Sequence, residues 1–132
     1  MDAAAYFNLG NLFLLTHQYE RSGQWLEKGL SRQPDSAFGH FLQGSLYESE
    51  GRTQEAWWAL RRCLELDPLF AKAHLALVNV YQQERRTGDA VIELRLFLRY
   101  FPDNPLAPKA REVLTKLYGP PECVAECEEM RE

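Results

Sequence analysis

Few residues in this chain have the chemistry to act on a bond. Its histidines are His17, His40 and His74, and its cysteines are Cys63, Cys123 and Cys127. A nucleophile needs a base beside it, and a zinc site needs ligands about one helical turn apart or in a Cys-x-x-Cys pair. His40 and His74 lie 34 residues apart, too far for a local ligand pair. Cys63 sits among apolar residues and reads as a small core filler. Cys123 and Cys127, at i and i+4, would share a face if helical, as half of a metal site or for an intermolecular disulfide, but two solvated thiols in the tail are the simpler reading. Neither a catalytic constellation nor a metal site is expected, and no cofactor. Three cysteines without an even framework favour a reducing compartment, hence a cytoplasmic location. A periplasmic one would require a leader already removed.

Composition narrows the choice further. The chain has 132 residues, is 45% hydrophobic and 26% charged, and carries a net charge of −4. That size suits one domain. The longest apolar run, Leu12 to Leu15, is far short of a membrane span. The five glutamates and one arginine of residues 122–132 account for the whole net charge, so the body is neutral. A neutral body with no basic stripe is a poor nucleic-acid binder. Neither nucleic acid nor membrane is therefore an expected partner.

The elements that must position any site follow from a repeat. Pro34, Pro68 and Pro102 are spaced by 34. The same period aligns Leu26, Leu60 and Leu94; Leu30, Leu64 and Leu98; Phe13, Tyr47 and Tyr81; Ser22, Ala56 and Ala90; and Tyr6, His40 and His74. Gly10 and Gly44 align with Val78. Within each unit the apolar spacing is helical, as in Tyr6, Leu9, Gly10 and Phe13. A 34-residue period with two helical halves is a helix-turn-helix array. The spacing predicts first helices at about 3–16, 37–50 and 71–85, and second helices at about 19–32, 53–66 and 88–100. Gly10 and Gly44, costly inside a helix, imply close approach of the partner helix at the Ser22/Ala56/Ala90 column. Arg85 stands where Gly51 does one unit earlier, so the third turn is expected to shift toward Gly88. Phe97, large in a column that holds Gly29 and Cys63, should splay the third pair or meet a looser cap.

These columns resemble the tetratricopeptide repeat (TPR) family: a large aromatic, Leu-Gly, a second aromatic, Ala, Leu, Ala and a closing Pro. The likeness covers about residues 3–102. It implies an all-α fold of three helix pairs, at about 3–36, 37–70 and 71–104, stacked as a short right-handed superhelix. Leu106, Ala110, Val113, Leu114 and Leu117 predict a capping helix at about 105–118, which repeat stacks need for solubility. Gly119-Pro120-Pro121 then separates an acidic tail, 119–132.

The resemblance also implies that the first helices line a concave groove. In the first repeat the groove positions are Phe7, Asn11 and Leu14. In the second they are Phe38, Phe41, Ser45 and Glu48, and in the third Lys72, Leu75, Asn79 and Gln82. Packing of Phe7, Phe38 and Phe41 between neighbouring helices is the alternative for each ring alone. Taken together, an apolar concavity with a few amides suits a protein or peptide segment, extended or helical. The implied function is a non-enzymatic interaction module. In one subclass, basic and amide residues at five groove positions clamp the C-terminal carboxylate of heat-shock chaperones. The matching positions here are Phe7, Asn11, Leu42, Lys72 and Ala76. Only Asn11 and Lys72 fit, which argues against a chaperone tail. Trp58, next to Trp57, falls on the convex side as a possible contact. The alternative function is a self-associating scaffold, a homo-oligomer joined through Trp58, the first helix or the tail.

Overall fold

The computed structural model describes residues 2–118, excluding the side chain of residue 118, so the tail with Cys123 and Cys127 lies outside the described residues. Seven helices follow one another: α1 (Ala3–Leu15), α2 (Tyr19–Arg32), α3 (Ala37–Ser49), α4 (Thr53–Leu66), α5 (Ala71–Gln83), α6 (Thr87–Tyr100) and α7 (Ala107–Tyr118). Among the described residues no strand occurs and no helix is long and apolar enough to cross a membrane. The helix bounds match the periodicity to within two residues. The first turn of α1 is capped by Asp2, whose carboxylate accepts from the Ala5 N–H at 2.9 Å, and that of α3 by the Ser36 hydroxyl, which accepts from Gly39. Such caps satisfy N–H groups that the helix cannot.

Each first helix packs on its own second helix, and each second helix packs on the next first helix. The first helices also meet across the repeats, α1 with α3 and α3 with α5. The inner layer is therefore α1, α3 and α5, and the outer layer is α2, α4 and α6. The glycine column does what its cost demands. A Cβ on Gly10 would lie 2.5 Å from Leu26 Cδ2, and one on Gly44 2.8 Å from Leu60 Cδ2. Ser22 completes the first contact by donating its hydroxyl to the Gly10 carbonyl at 2.8 Å. In the third repeat Val78 occupies this column and is itself buried, so α5 and α6 pack with a side chain between them. Phe97 is fully buried there and lies against Phe101, ring centroids 5.3 Å apart.

The turn after Arg85 does not shift. The first helices of all three repeats end in the same way, with His17, Gly51 and Arg85 in the left-handed region at φ 62°, 77° and 59°. The residue after each donates its N–H back five residues, Gln18 to Phe13, Arg52 to Tyr47 and Arg86 to Tyr81, at 2.7–2.8 Å. The left-handed residue itself donates to Leu14, Glu48 or Gln82. This is the Schellman arrangement, in which glycine is favoured because a Cβ is crowded. The register of the repeat overrides the local preference of Arg85. Arg85→Gly and His17→Gly are each expected to stabilise the fold by about 0.5–1 kcal/mol, and Gly51→Ala to destabilise it by a similar amount. Urea midpoints check this; a lower midpoint for Arg85→Gly would contradict it.

The ring column explains its two histidines. His40 Nε2 lies 2.8 Å from the Pro34 carbonyl and His74 Nε2 3.0 Å from the Pro68 carbonyl, so each ties a first helix to the preceding turn. His74 has a second acceptor, Glu93 Oε2, at 3.1 Å from Nδ1. Only the imidazolium can donate from both nitrogens. The Glu93 hydrogen bond raises the His74 pKa above its usual value, aided by the Pro68 carbonyl and opposed by burial and Arg61. A raised folded-state pKa contributes stability that is whole below the unfolded value, about 6.5, and is lost as pH rises through the folded value. The melting midpoint should therefore fall as pH is raised through that window. His74→Phe should flatten the dependence, and an unchanged slope would contradict it.

Candidate binding groove

The expected groove face is one stripe of each inner helix. The 34-residue register that gives Phe38 and Lys72 continues to Leu106. Phe41 and Leu75 continue to Lys109, Ser45 and Asn79 to Val113, and Glu48 and Gln82 to Lys116. α7 packs on α6 as α3 does on α2, in the place of a next first helix. A cavity of about 200 Å³ between α5 and α7 is lined by Leu75, Asn79, Leu106, Lys109 and Val113. Leu106, Lys109 and Val113 were not among the groove residues read from the sequence. Extending the repeat register into the capping helix would have found them.

The expected groove residues divide into three groups. Phe38, Lys72, Asn79 and Gln82 are exposed. Asn11, Leu14, Phe41, Ser45, Glu48 and Leu75 are half-buried. Phe41 lies against Phe70, rings tilted by 36° with centroids 5.0 Å apart, and Leu14 packs against the core of the first repeat. Phe7 is not a groove residue. It is 2% exposed, with its ring clamped between Gly29 and Gly39, where a Cβ would lie 2.5 and 2.6 Å from it. The phenyl ring is the core of the α1–α2–α3 junction, and two glycines make room for it. Phe38 stands edge-on to that ring at 6.4 Å and presents the exposed aromatic surface in its place.

Charge is unevenly spread along this face. Lys72 and Lys109 are exposed at its C-terminal half, and Lys116 pairs with Glu112 at 3.3 Å. Glu48 lies in the middle, and burial pushes its carboxyl pKa up. The surface thus offers apolar contacts from Phe38, Leu75, Leu106 and Val113, amides from Asn11, Asn79 and Gln82, and cations beside α5 and α7.

The other residues with chemical potential are placed as follows. Cys63 is fully buried, and burial, with the Asp67 charge, pushes its thiol up to about 12. Such a thiol is protonated and unreactive at neutral pH. Among the described residues no group of three His, Cys, Asp or Glu side chains could hold a metal ion. Trp58 is 65% exposed, edge-on to Trp57 at 4.9 Å. On α1, Leu12 is exposed, whereas its register mates Leu46 and Val80 are buried.

Comparison with known proteins gives a consistent picture. A tetratricopeptide repeat family profile matches residues 3–36 and 39–68. Sperm-associated antigen 1 of Mus musculus is 31% identical over 103 residues, which are 76% of this chain and 11% of that protein. The chain thus spans about a tenth of that relative's length. The first TPR domain of Spaghetti (RPAP3), solved with the HSP90 peptide SRMEEVD, superposes with a TM-score of 0.79 at 17% identity, covering 88% of this chain and 90% of that one. The TPR2B domain of yeast Sti1, from its complex with pHsp70, gives 0.81 at 14% identity, covering 87% and 94%. At these identities the likeness is one of fold.

Proposed function

The chain belongs to the tetratricopeptide repeat family, and from that premise we propose that it is a non-enzymatic protein–protein interaction module whose concave face holds a segment of a partner. The observation that carries this is the inner stripe continued into α7, where Leu75, Asn79, Leu106, Lys109 and Val113 surround a cavity of about 200 Å³. A cavity of that size takes one apolar side chain, and the neighbouring amides can meet a peptide backbone. Lys72 and Lys109 favour acidic residues flanking that side chain.

The Spaghetti and Sti1 domains are seen with chaperone peptides. That ligand is not the one proposed here. Three of the five clamp positions hold Phe7, Leu42 and Ala76, and all three are buried. Neither cation nor amide is available there to fix a terminal carboxylate. The proposed segment is therefore internal, extended or helical, with an apolar anchor and an acidic flank. The test is capture from native lysate by the immobilised protein, compared with an Asn79→Ala/Leu106→Asp variant of unchanged circular dichroism. Proteins retained by the wild type and lost by the variant support the groove. Equal retention by both removes it.

A further inference from the structure

The repeat itself reveals a vacant aromatic socket on the outer side. At the second junction, Trp57 of α4 reaches over α5 and donates its indole N–H to the Tyr81 hydroxyl at 3.0 Å. The Tyr81 ring carries the Arg86 guanidinium 5.0 Å from its centroid. Thirty-four residues earlier the same frame is present. Tyr47 takes the place of Tyr81, and Arg52 sits over its ring at 4.6 Å as Arg86 does. The indole is missing, because Gly23 stands where Trp57 does. A cavity of about 450 Å³ lies there, bounded by Gly23, Gln43, Leu46 and Tyr47. A Cβ on Gly23 would meet only Leu46 Cδ2, at an ordinary 3.5 Å. Gly23 is thus not there to permit close helix packing, unlike Gly10 and Gly44.

We propose that this socket receives the Trp58 indole of a second copy of the chain. Two observations select that occupant. The cavity stands where the Trp57 indole sits one repeat later, and Tyr47 under Arg52 repeats the polar partner that Trp57 uses inside the same molecule. Trp58 is the most exposed tryptophan among the described residues, at 65%. Charge agrees: the socket's rim carries Glu20, Glu27 and Glu50, with Arg52, while Arg61 and Arg62 lie one turn beyond Trp58 on α4, Arg61 over the Trp57 ring and Arg62 in exposed pairs with Asp35 and Glu65. The contact is heterologous, with one plug and one socket per copy. Tryptophan in a desolvated pocket is among the commonest binding hot spots. A single such plug makes a transient association rather than an obligate one.

Sedimentation velocity over about 10 µM to 1 mM tests this on the full chain. The wild type should show concentration-dependent association that weakens with salt. Trp58→Ala removes the plug, and Gly23→Trp fills the socket from within. Each should weaken self-association at least about thirtyfold. Mixed together, the two variants should associate again, since one keeps the socket and the other the plug. Gly23→Val is a smaller filling with the same expected outcome should the tryptophan variant not fold. A wild type that stays monomeric throughout, a Trp58→Ala variant that associates as the wild type does, or a mixture that fails to associate would each overturn the assignment. Groove capture by the same variants should be unchanged, so this proposal and the groove can fail separately.

Discussion

Phe7→Ala is expected to destabilise the fold by about 3–5 kcal/mol, the largest effect of any single substitution considered. The ring is 2% exposed and sits where three helices meet, with Gly29 of α2 on one side and Gly39 of α3 on the other. Removing it leaves a void that α2 and α3 cannot close without moving, because their own glycines supply no atoms to fill it. The converse change is also costly. Gly39→Ala places a Cβ 2.6 Å from the Phe7 ring and 2.9 Å from Leu30, and Gly29→Ala places one 2.5 Å from the ring. The ring cannot retreat from one glycine without striking the other, so each substitution should cost about 1–3 kcal/mol. Phe7→Leu, which shortens the ring side of the contact, should recover part of the Gly39→Ala loss. A double-mutant cycle read by urea unfolding should therefore show a coupling of about 1 kcal/mol. Strict additivity would mean that Phe7 and Gly39 do not share this space.

The second large effect is on binding. Asn79→Ala with Leu106→Asp should weaken partner capture by about 2–4 kcal/mol, a loss of about 30- to 1000-fold. Leu106 supplies an apolar wall of the α5–α7 cavity while remaining 37% exposed, and Asn79 beside it is exposed. An aspartate there removes apolar contact and opposes the acidic flank expected of the segment. Neither residue supports the core, so the melting midpoint should move little. A variant at Phe41 would be a poorer test. Its ring lies against Phe70 and packs against both halves of the core, so binding and stability would change together.

The repeat made most of the fold legible. Helix bounds, glycine contacts and the histidine column all follow from one period, because each unit solves the same packing problem. Misreadings arose where a unit departs from its neighbours. Phe7 occupies a groove position in the register, yet Gly29 and Gly39 replace the larger residues found elsewhere in their columns, Cys63 and Phe97 in one and Ala5 and Ala73 in the other. Two small residues facing one ring draw that ring inward, and the pairing is visible only once the helices are stacked. Arginine disfavours a positive φ, so Arg85 taken alone predicts a shifted turn. The fixed lengths of α5 and α6 impose the same turn regardless. The contribution of α7 went unread because a cap is recognised by its buried face, Ala110 and Leu114, and the groove uses the edge beside it.

The central claim is that partners bind on the inner layer. Amide hydrogen exchange of the protein alone and with a captured partner tests it directly. The groove account predicts slowed exchange in α5 and α7, with a smaller effect in α3 and none confined to the outer helices. Protection restricted to α2, α4 and α6, with α5 and α7 unchanged, would contradict it.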